Sequence, residues 1–121
     1  MREKRAQVRM LLGKWGGWTL LLDRLRREQR AARAWLHQQQ CEPARQLLGH
    51  IEDEIADLMR LRKTLGALVG DLPVEAQRVL LLRYEKNLSW LQISIQMNYD
   101  ERSVRRIETR AVDRLAAALE E

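Results

Sequence analysis

The sequence is poor in residues that crosslink a chain, break helices or build membrane spans. Its 121 residues include one cysteine, two prolines, six glycines and no phenylalanine. Because Cys41 is alone, an intrachain disulfide is excluded and a reducing cytoplasm is the simplest location. No run approaches the roughly 18 apolar residues of a membrane span, so we expect no membrane partner. Leucine, alanine, arginine, glutamate and glutamine dominate instead, which predicts an all-α protein.

Catalytic and metal-binding patterns are also missing. His37 and His50 are far apart in the chain and Cys41 has no partner, so no zinc-ligand spacing exists. The glycines at positions 13–17 lack the spacing of a phosphate-binding loop and a preceding strand. We therefore predict that the protein is not an enzyme. We expect no catalytic residues, no metal, no cofactor and no small-molecule substrate.

Positive charge is concentrated at the N-terminal end of the chain. Residues 1–36 contain ten Lys and Arg against three Asp and Glu, residues 37–72 four against six, and residues 73–121 eight against eight. A basic segment suggests a polyanionic partner, although it equally keeps a helix soluble. The C-terminal part is neutral, so its arginines have to be judged by where they lie on a helix.

Apolar residues in the first 70 positions follow the alternating three- and four-residue steps of a coiled-coil seam. The first helix carries Val8, Leu11, Trp15, Trp18, Leu22, Leu25, Ala32 and Leu36, and the second carries Leu48, Ile51, Ile55, Leu58, Leu65 and Val69. Residues 37–43 are predicted to connect them, and a short connection predicts antiparallel packing. Residues 1–70 are thus predicted to form a coiled-coil-like helical hairpin for oligomerisation or partner binding. Gly16 and Gly17 predict a kink or break, since glycine costs a helix about 1 kcal/mol relative to alanine.

Three short helices are predicted in residues 71–121. Pro73 suits the first turn of one helix, Ser89 can cap a second over Trp90–Met97, and Asp100 can cap a third. At about 100° per residue, the third helix, Glu101–Leu119, has an apolar side and a basic side. The apolar side carries Val104, Ile107, Ala111, Leu115 and Ala118. The basic side carries the predicted DNA-binding residues Arg102, Ser103, Arg105, Arg106, Thr109 and Arg110.

A helix that is packed on one side and rich in guanidinium groups on the other fits the major groove of double-stranded DNA. Arginine can bind guanine O6 and N7 with two hydrogen bonds, and it can also bind phosphates. A lone basic stripe is more often a solvated helix face. Here a capped helix, a short turn at positions 98–100 and a basic helix follow in the order of a helix-turn-helix, which favours DNA binding.

Residues 72–115 resemble region 4 of sigma-70-type factors, the domain that reads the promoter −35 element. The matching residues are Leu72-Pro73, Leu80–Tyr84, Leu88–Trp90, Ile93 and Ser103-Val104. The run Asn98–Ile107 is similar to small phage and prophage regulators of late genes, of the RinA and ArpU type. The resemblance implies a sequence-specific DNA-binding transcriptional regulator, encoded by a phage or prophage, whose helix Glu101–Leu119 reads the major groove. It also implies RNA polymerase as a partner, and a location at the nucleoid in the bacterial host cytoplasm.

The sequence departs from that family pattern at three positions. Asn98 stands where glycine is usual, Ser94 where alanine is common, and Ile95 where a polar residue is usual. We expect Ile95 and Trp90 to be covered by the N-terminal half or by a second subunit. Two other functions stay open, a phage small terminase subunit for DNA packaging and a helical protein–protein adaptor. A ring of many subunits favours the terminase, and absence of salt-dependent DNA binding favours the adaptor.

We predict a homodimer. If the first helix is continuous to Leu36, at about 1.5 Å per residue it extends past the second helix and exposes Trp15 and Trp18 unless a partner covers them. A dimer also presents two recognition helices to two half-sites. Light scattering at micromolar concentration should then give twice the chain mass of 14.3 kDa. A mass equal to one chain contradicts the dimer, and is expected if the N-terminal segment folds back at Gly16-Gly17 onto its own chain.

Overall fold

The computed structural model describes residues 2–120, which form six α-helices and one π-helical turn. The helices are α1 (Arg2–Gly16), α2 (Trp18–Gln39), α3 (Glu42–Gly70), α4 (Val74–Leu80), α5 (Trp90–Met97) and α6 (Glu101–Leu119), and the π-helical turn (Leu81–Glu85) continues α4. No strand occurs in the described residues, so the all-α prediction is confirmed. None of the helices in this part of the chain is long and apolar enough to cross a membrane.

Helices α2 and α3 pack against each other and run in opposite directions. The guanidinium of Arg62 lies 3.8 Å from the ring centroid of Trp18, whereas Arg33 pairs with Glu52 at 3.5 Å. A later residue of α2 thus meets an earlier residue of α3. The seam between them contains the buried residues Leu25, Ala32, Ala44, Ile51 and Leu58. An exposed ion pair contributes at most about 1 kcal/mol, so the apolar seam supplies most of the stability.

The connection between α2 and α3 is shorter than residues 37–43. Residues 37–39 form the end of α2, because glutamine favours helix. Gln40 takes a left-handed conformation with φ 47° and donates its N–H to the Leu36 carbonyl at 2.7 Å, which ends the helix. Pro43 lies in the first turn of α3, as predicted.

Helix α1 packs on α6, on the π-helical turn and on the C-terminal end of α3. The helix is interrupted at Gly17, between α1 and α2, so the break predicted at Gly16-Gly17 is present. Val8 and Leu12 are buried in a core that includes residues of α3, α4 and α6. The seam predicted as continuous from Val8 to Leu36 is therefore divided. Its first part packs against the C-terminal helices and the end of α3, and its second part packs against the rest of α3.

The core beneath α6 consists of two clusters of buried side chains. The larger cluster contains Val8, Leu12, Val69, Leu72, Ala76, Leu80, Ala111, Val112 and Leu115. The smaller cluster contains Val79, Ile93 and Val104, from α4, α5 and α6. Together they hold α6 between α1, α4 and α5, and one side of α6 stays in solvent.

The N-terminal half does not cover Ile95. That side chain is 70% exposed, because α1 packs on α6 instead of on α5. Trp15 packs against the larger core cluster, and Trp18 has the Arg62 guanidinium over its ring. The two tryptophans whose exposure led us to predict a dimer thus have packing partners within one chain. The oligomeric state stays a prediction.

Two glycines of α1 give a matched test of how closely α1 approaches the π-helical turn. A Cβ added to Gly16 would lie 2.2 Å from the carbonyl oxygen of Tyr84, whereas one added to Gly13 meets nothing within 4 Å. We predict that Gly16→Ala lowers the free energy of unfolding by about 1–3 kcal/mol through overpacking. Gly13→Ala should raise it by up to about 1 kcal/mol, because alanine favours helix. Urea denaturation measures both, and equal stability of the two variants would contradict the close approach.

Candidate nucleic-acid interface

Local hydrogen bonds set where α5 and α6 begin and end. The Ser89 hydroxyl accepts from the Gln92 N–H at 3.1 Å, and the Gln92 side chain accepts from the Ser89 N–H at 2.9 Å, which is a capping box. Asn98 ends α5 in a left-handed conformation with φ 59°. The Asp100 carboxylate accepts from the Ser103 N–H at 2.7 Å and starts α6. That hydrogen bond lowers the pKa of Asp100, so the cap is ionised at neutral pH.

Three arginines of α6 form a row that faces solvent. Arg102, Arg106 and Arg110 are exposed and follow one another at four-residue steps, which places them along one side of the helix. None of the three forms an ion pair within residues 2–120. Arg106 and Arg110 also line a shallow depression beside Tyr99 in the turn. We call Arg102, Arg106 and Arg110 the arginine row.

The other three residues of the predicted basic side lie elsewhere. Arg105 is exposed but turns toward α5, with its guanidinium 5.6 Å from the ring centroid of Trp90 and 3.9 Å from the Glu101 carboxylate. Ser103 is half-buried, and its N–H is used by the Asp100 cap. Thr109 is half-buried with its hydroxyl 3.4 Å from a guanidinium nitrogen of Arg9 in α1. The structure therefore brings three of the six predicted residues together and sets the others at the edges.

Besides Arg105, a second arginine, which we did not predict, lies over the Trp90 ring. The Arg83 guanidinium lies 4.3 Å from the Trp90 ring centroid and donates to the Leu88 carbonyl at 2.9 Å. Cation–π contacts of this kind contribute about 0.5–1 kcal/mol at exposed sites. Arg83 and Arg105 thus flank one indole at the beginning of α5, so this end of the basic surface is shaped by Trp90.

A buried carboxylate on α6 was also missed. Glu108 is 1% exposed and accepts hydrogen bonds from two nitrogens of Arg9 at 2.8 and 3.1 Å, and from the Tyr84 hydroxyl at 2.7 Å. Burial and the bond to Glu108 raise the pKa of Tyr84, so its hydroxyl keeps its proton and donates. The signal was present in the sequence: Glu108 stands midway between Val104 and Val112 at helical spacing, and an acid inside an apolar stripe predicts a buried partner.

Two further ion pairs join α1 to α6. Arg5 donates to both oxygens of Asp113 at 2.8 and 3.0 Å, and Lys4 pairs with Glu120. The hydrogen bonds from Arg5 lower the pKa of Asp113. This pair therefore stabilises the fold above the ordinary pKa of aspartate, and its contribution is lost as the pH falls through the lowered value. Glu108 and Asp113 of α6, and Glu120 directly after it, thus each form an ion pair with α1.

The chemistry that this surface offers is positive charge and hydrogen-bond donation. Guanidinium groups have only donors, which match the acceptor oxygens of phosphates and the acceptor edge of guanine. In the part of the chain that the structure describes, no three His, Cys, Asp or Glu side chains are placed to hold a metal ion. The arrangement is suited to binding a polyanion.

Comparison with known proteins gives a match to a family model. The model described as "Protein of unknown function (DUF722)" matches residues 37–117. The match runs from the last turn of α2 to near the end of α6 and leaves α1 outside. No curated protein matches the chain, and no solved structure matches it.

The pair Arg9–Glu108 should be required to hold α1 on α6. Arg9→Met leaves the buried Glu108 carboxylate with the Tyr84 hydroxyl as its remaining hydrogen-bond donor, which should cost about 1–3 kcal/mol of stability. Arg2→Met makes the same substitution at an exposed position of the same helix, and should change stability by no more than about 0.5 kcal/mol. Urea denaturation at neutral pH measures both free energies. If Arg9→Met is as stable as Arg2→Met, the ion pair does not hold the helix.

Proposed function

We propose that this chain, which belongs to the DUF722 family of proteins of unknown function, is a sequence-specific DNA-binding regulator of transcription. In this proposal α5, the turn at Asn98–Asp100 and α6 form a helix-turn-helix of the sigma-70 region 4 kind. The α2–α3 pair is the hairpin that carries it. The residue pattern that resembles phage and prophage regulators of the RinA and ArpU type supports this assignment. RNA polymerase and a second copy of the chain are the further partners that it implies.

The observation that carries the proposal is the separation of charge on α6. Glu108 and Asp113 of α6, and Glu120 directly after it, pair with α1, whereas the arginine row faces solvent and forms no ion pair within the described residues. A segment with no net charge thus presents a positive side. Phosphates attract such a side strongly, because each neutralised phosphate releases counterions.

The positions of the arginines suggest different tasks. In helix-turn-helix proteins the N-terminal residues of the second helix contact base edges. Arg102 and Arg106 lie in the first two turns of α6, so we assign base reading to them. Arg110 lies a turn further on, and Arg83 and Arg105 are held at Trp90. We assign phosphate contacts to these three, since side chains held at an edge position the protein without reading sequence.

Helix α1 has a positioning task in this proposal. Its cations cover the acidic edge of α6 and its Val8 and Leu12 fill the core beneath. Without α1, the exposed Glu108 and Asp113 would repel DNA phosphates from the same helix. In this proposal the basic N-terminal segment therefore affects DNA binding mainly by holding and shielding α6. Part of its excess positive charge is paired with carboxylates of the same chain.

The proposal is tested by selecting bound double-stranded DNA from a random pool with the full-length protein, followed by fluorescence anisotropy on the selected site. Arg102→Ala or Arg106→Ala should weaken binding by about 1–3 kcal/mol and flatten the sequence preference. Arg105→Ala and Arg110→Ala should weaken all sequences alike and reduce the salt slope by about one.

The matched control is Arg27→Ala, which removes an exposed arginine from α2. Its binding curve should coincide with that of the wild type, because α2 lies outside the proposed interface. The assignment is wrong if substitution of all four arginines of the predicted basic side, Arg102, Arg105, Arg106 and Arg110, leaves the binding curves unchanged.

A further inference from the structure

A narrow groove lies between the beginning of α4 and the middle of α6. It has a volume of about 190 Å³. Leu72, Ala76 and Ala111 form its floor together with the half-buried Ile107. These residues belong to or pack against the larger core cluster, so the floor is held in place by the interior of the protein. The shape of the groove is thus set by the fold itself.

The size and lining of this groove suit a side chain better than a small molecule. Small-molecule sites usually have volumes of about 300–1,000 Å³ and several convergent polar groups. The present volume is smaller, and the floor is apolar. It matches one or two large apolar side chains of a partner, which is how an amphipathic helix docks in a groove.

The α6 edge of the groove is positively charged. Arg110 and Arg114 are exposed, line the groove and stand one helical turn apart. Within the described residues neither forms an ion pair. On the opposite edge, Glu75 accepts a hydrogen bond from the Tyr99 hydroxyl at 2.7 Å. The two edges therefore differ in sign, which fixes the side on which a partner's carboxylates can lie.

We propose that this groove binds an acidic amphipathic helix of a partner protein. Leucine-like side chains of that helix enter the groove over Ala76 and Ile107. Its carboxylates, also one turn apart, pair with Arg110 and Arg114, because four-residue spacing on the two helices matches. A DNA backbone fits less well, since sugar and phosphate give the apolar floor nothing to bury. The proposal goes beyond DNA binding and does not depend on it.

The test uses the isotope-labelled full-length protein and a synthetic peptide of leucine, glutamate and alanine. At about 18 residues the peptide is long enough to form a helix on binding. Amide shifts in an NMR titration should cluster at residues 72–76 and 107–114. Replacing the leucines by serine, or the glutamates by glutamine, should each weaken binding by about tenfold or more, or about 1.4 kcal/mol. Both sets of contacts are required, so neither replacement alone should be tolerated.

A matched pair of protein variants assigns the arginine contact. Arg114→Glu should weaken peptide binding by about tenfold or more, whereas Arg27→Glu, the same change at an exposed position of α2, should leave it unchanged. Thermal melting of both variants checks that they fold. Equal effects of the two substitutions would show attraction to overall charge and would overturn the proposal.

Three other results overturn the proposal in distinguishable ways. Shifts centred on the basic stretch 24–33 of α2 place the peptide elsewhere. Loss of double-stranded DNA binding by Arg114→Glu with unchanged peptide binding assigns the edge to a nucleic-acid surface. Shifts of the same amides when the concentration of the protein alone is raised, together with an increase in its mass in solution, would show that a second copy of the chain occupies the groove. The DNA-binding behaviour of Arg102→Ala bears only on the proposed function.

Discussion

The buried carboxylate of Glu108 is the constraint on which the arrangement of the C-terminal helices depends. A charge that is 1% exposed has to be paired, because an unpaired one costs several kcal/mol. Its partners are Arg9 from α1 and Tyr84 from the π-helical turn, so one side chain joins three parts of the chain. The contact of Gly16 with the Tyr84 carbonyl lies at the same junction. Helix α1 is therefore fixed in rotation and position relative to α6.

The same contacts determine which side of α6 is left exposed to solvent. Once Glu108, Asp113 and Glu120 are turned toward α1, the remaining charges of the helix beyond its first turn are all arginines. Net charge alone does not reveal this, since residues 73–121 have as many acids as bases. The basic surface arises because Glu108, Asp113 and Glu120 pair with α1 while the arginine row faces solvent. Helix α1, which provides the pairing cations, comes from the other end of the chain.

Features that depend on neighbouring residues could be predicted from the sequence, and features that depend on distant ones could not. The caps at Ser89 and Asp100, the left-handed Asn98 and the break at Gly17 are local, and the structure contains all four. The place of α1 depends on Arg9 meeting an acid 99 positions away, which no period within residues 1–36 encodes. Periodicity likewise put Arg105 and Thr109 on the basic side, but their neighbours Trp90 and Arg9 draw them to its edges.

The two proposed binding surfaces share one residue. Arg110 belongs to the arginine row and also lines the groove above Ile107. A guanidinium that pairs with a carboxylate in the groove has fewer donors and less charge to offer a phosphate. The two proposals together therefore imply that binding of the partner and binding of DNA are coupled through this side chain. Because such coupling is reciprocal, bound DNA should weaken binding of the partner by the same factor by which the bound partner weakens binding of DNA. Arg114 lies outside the arginine row, so a substitution there separates the proposed groove contact from the proposed DNA contact on a single helix.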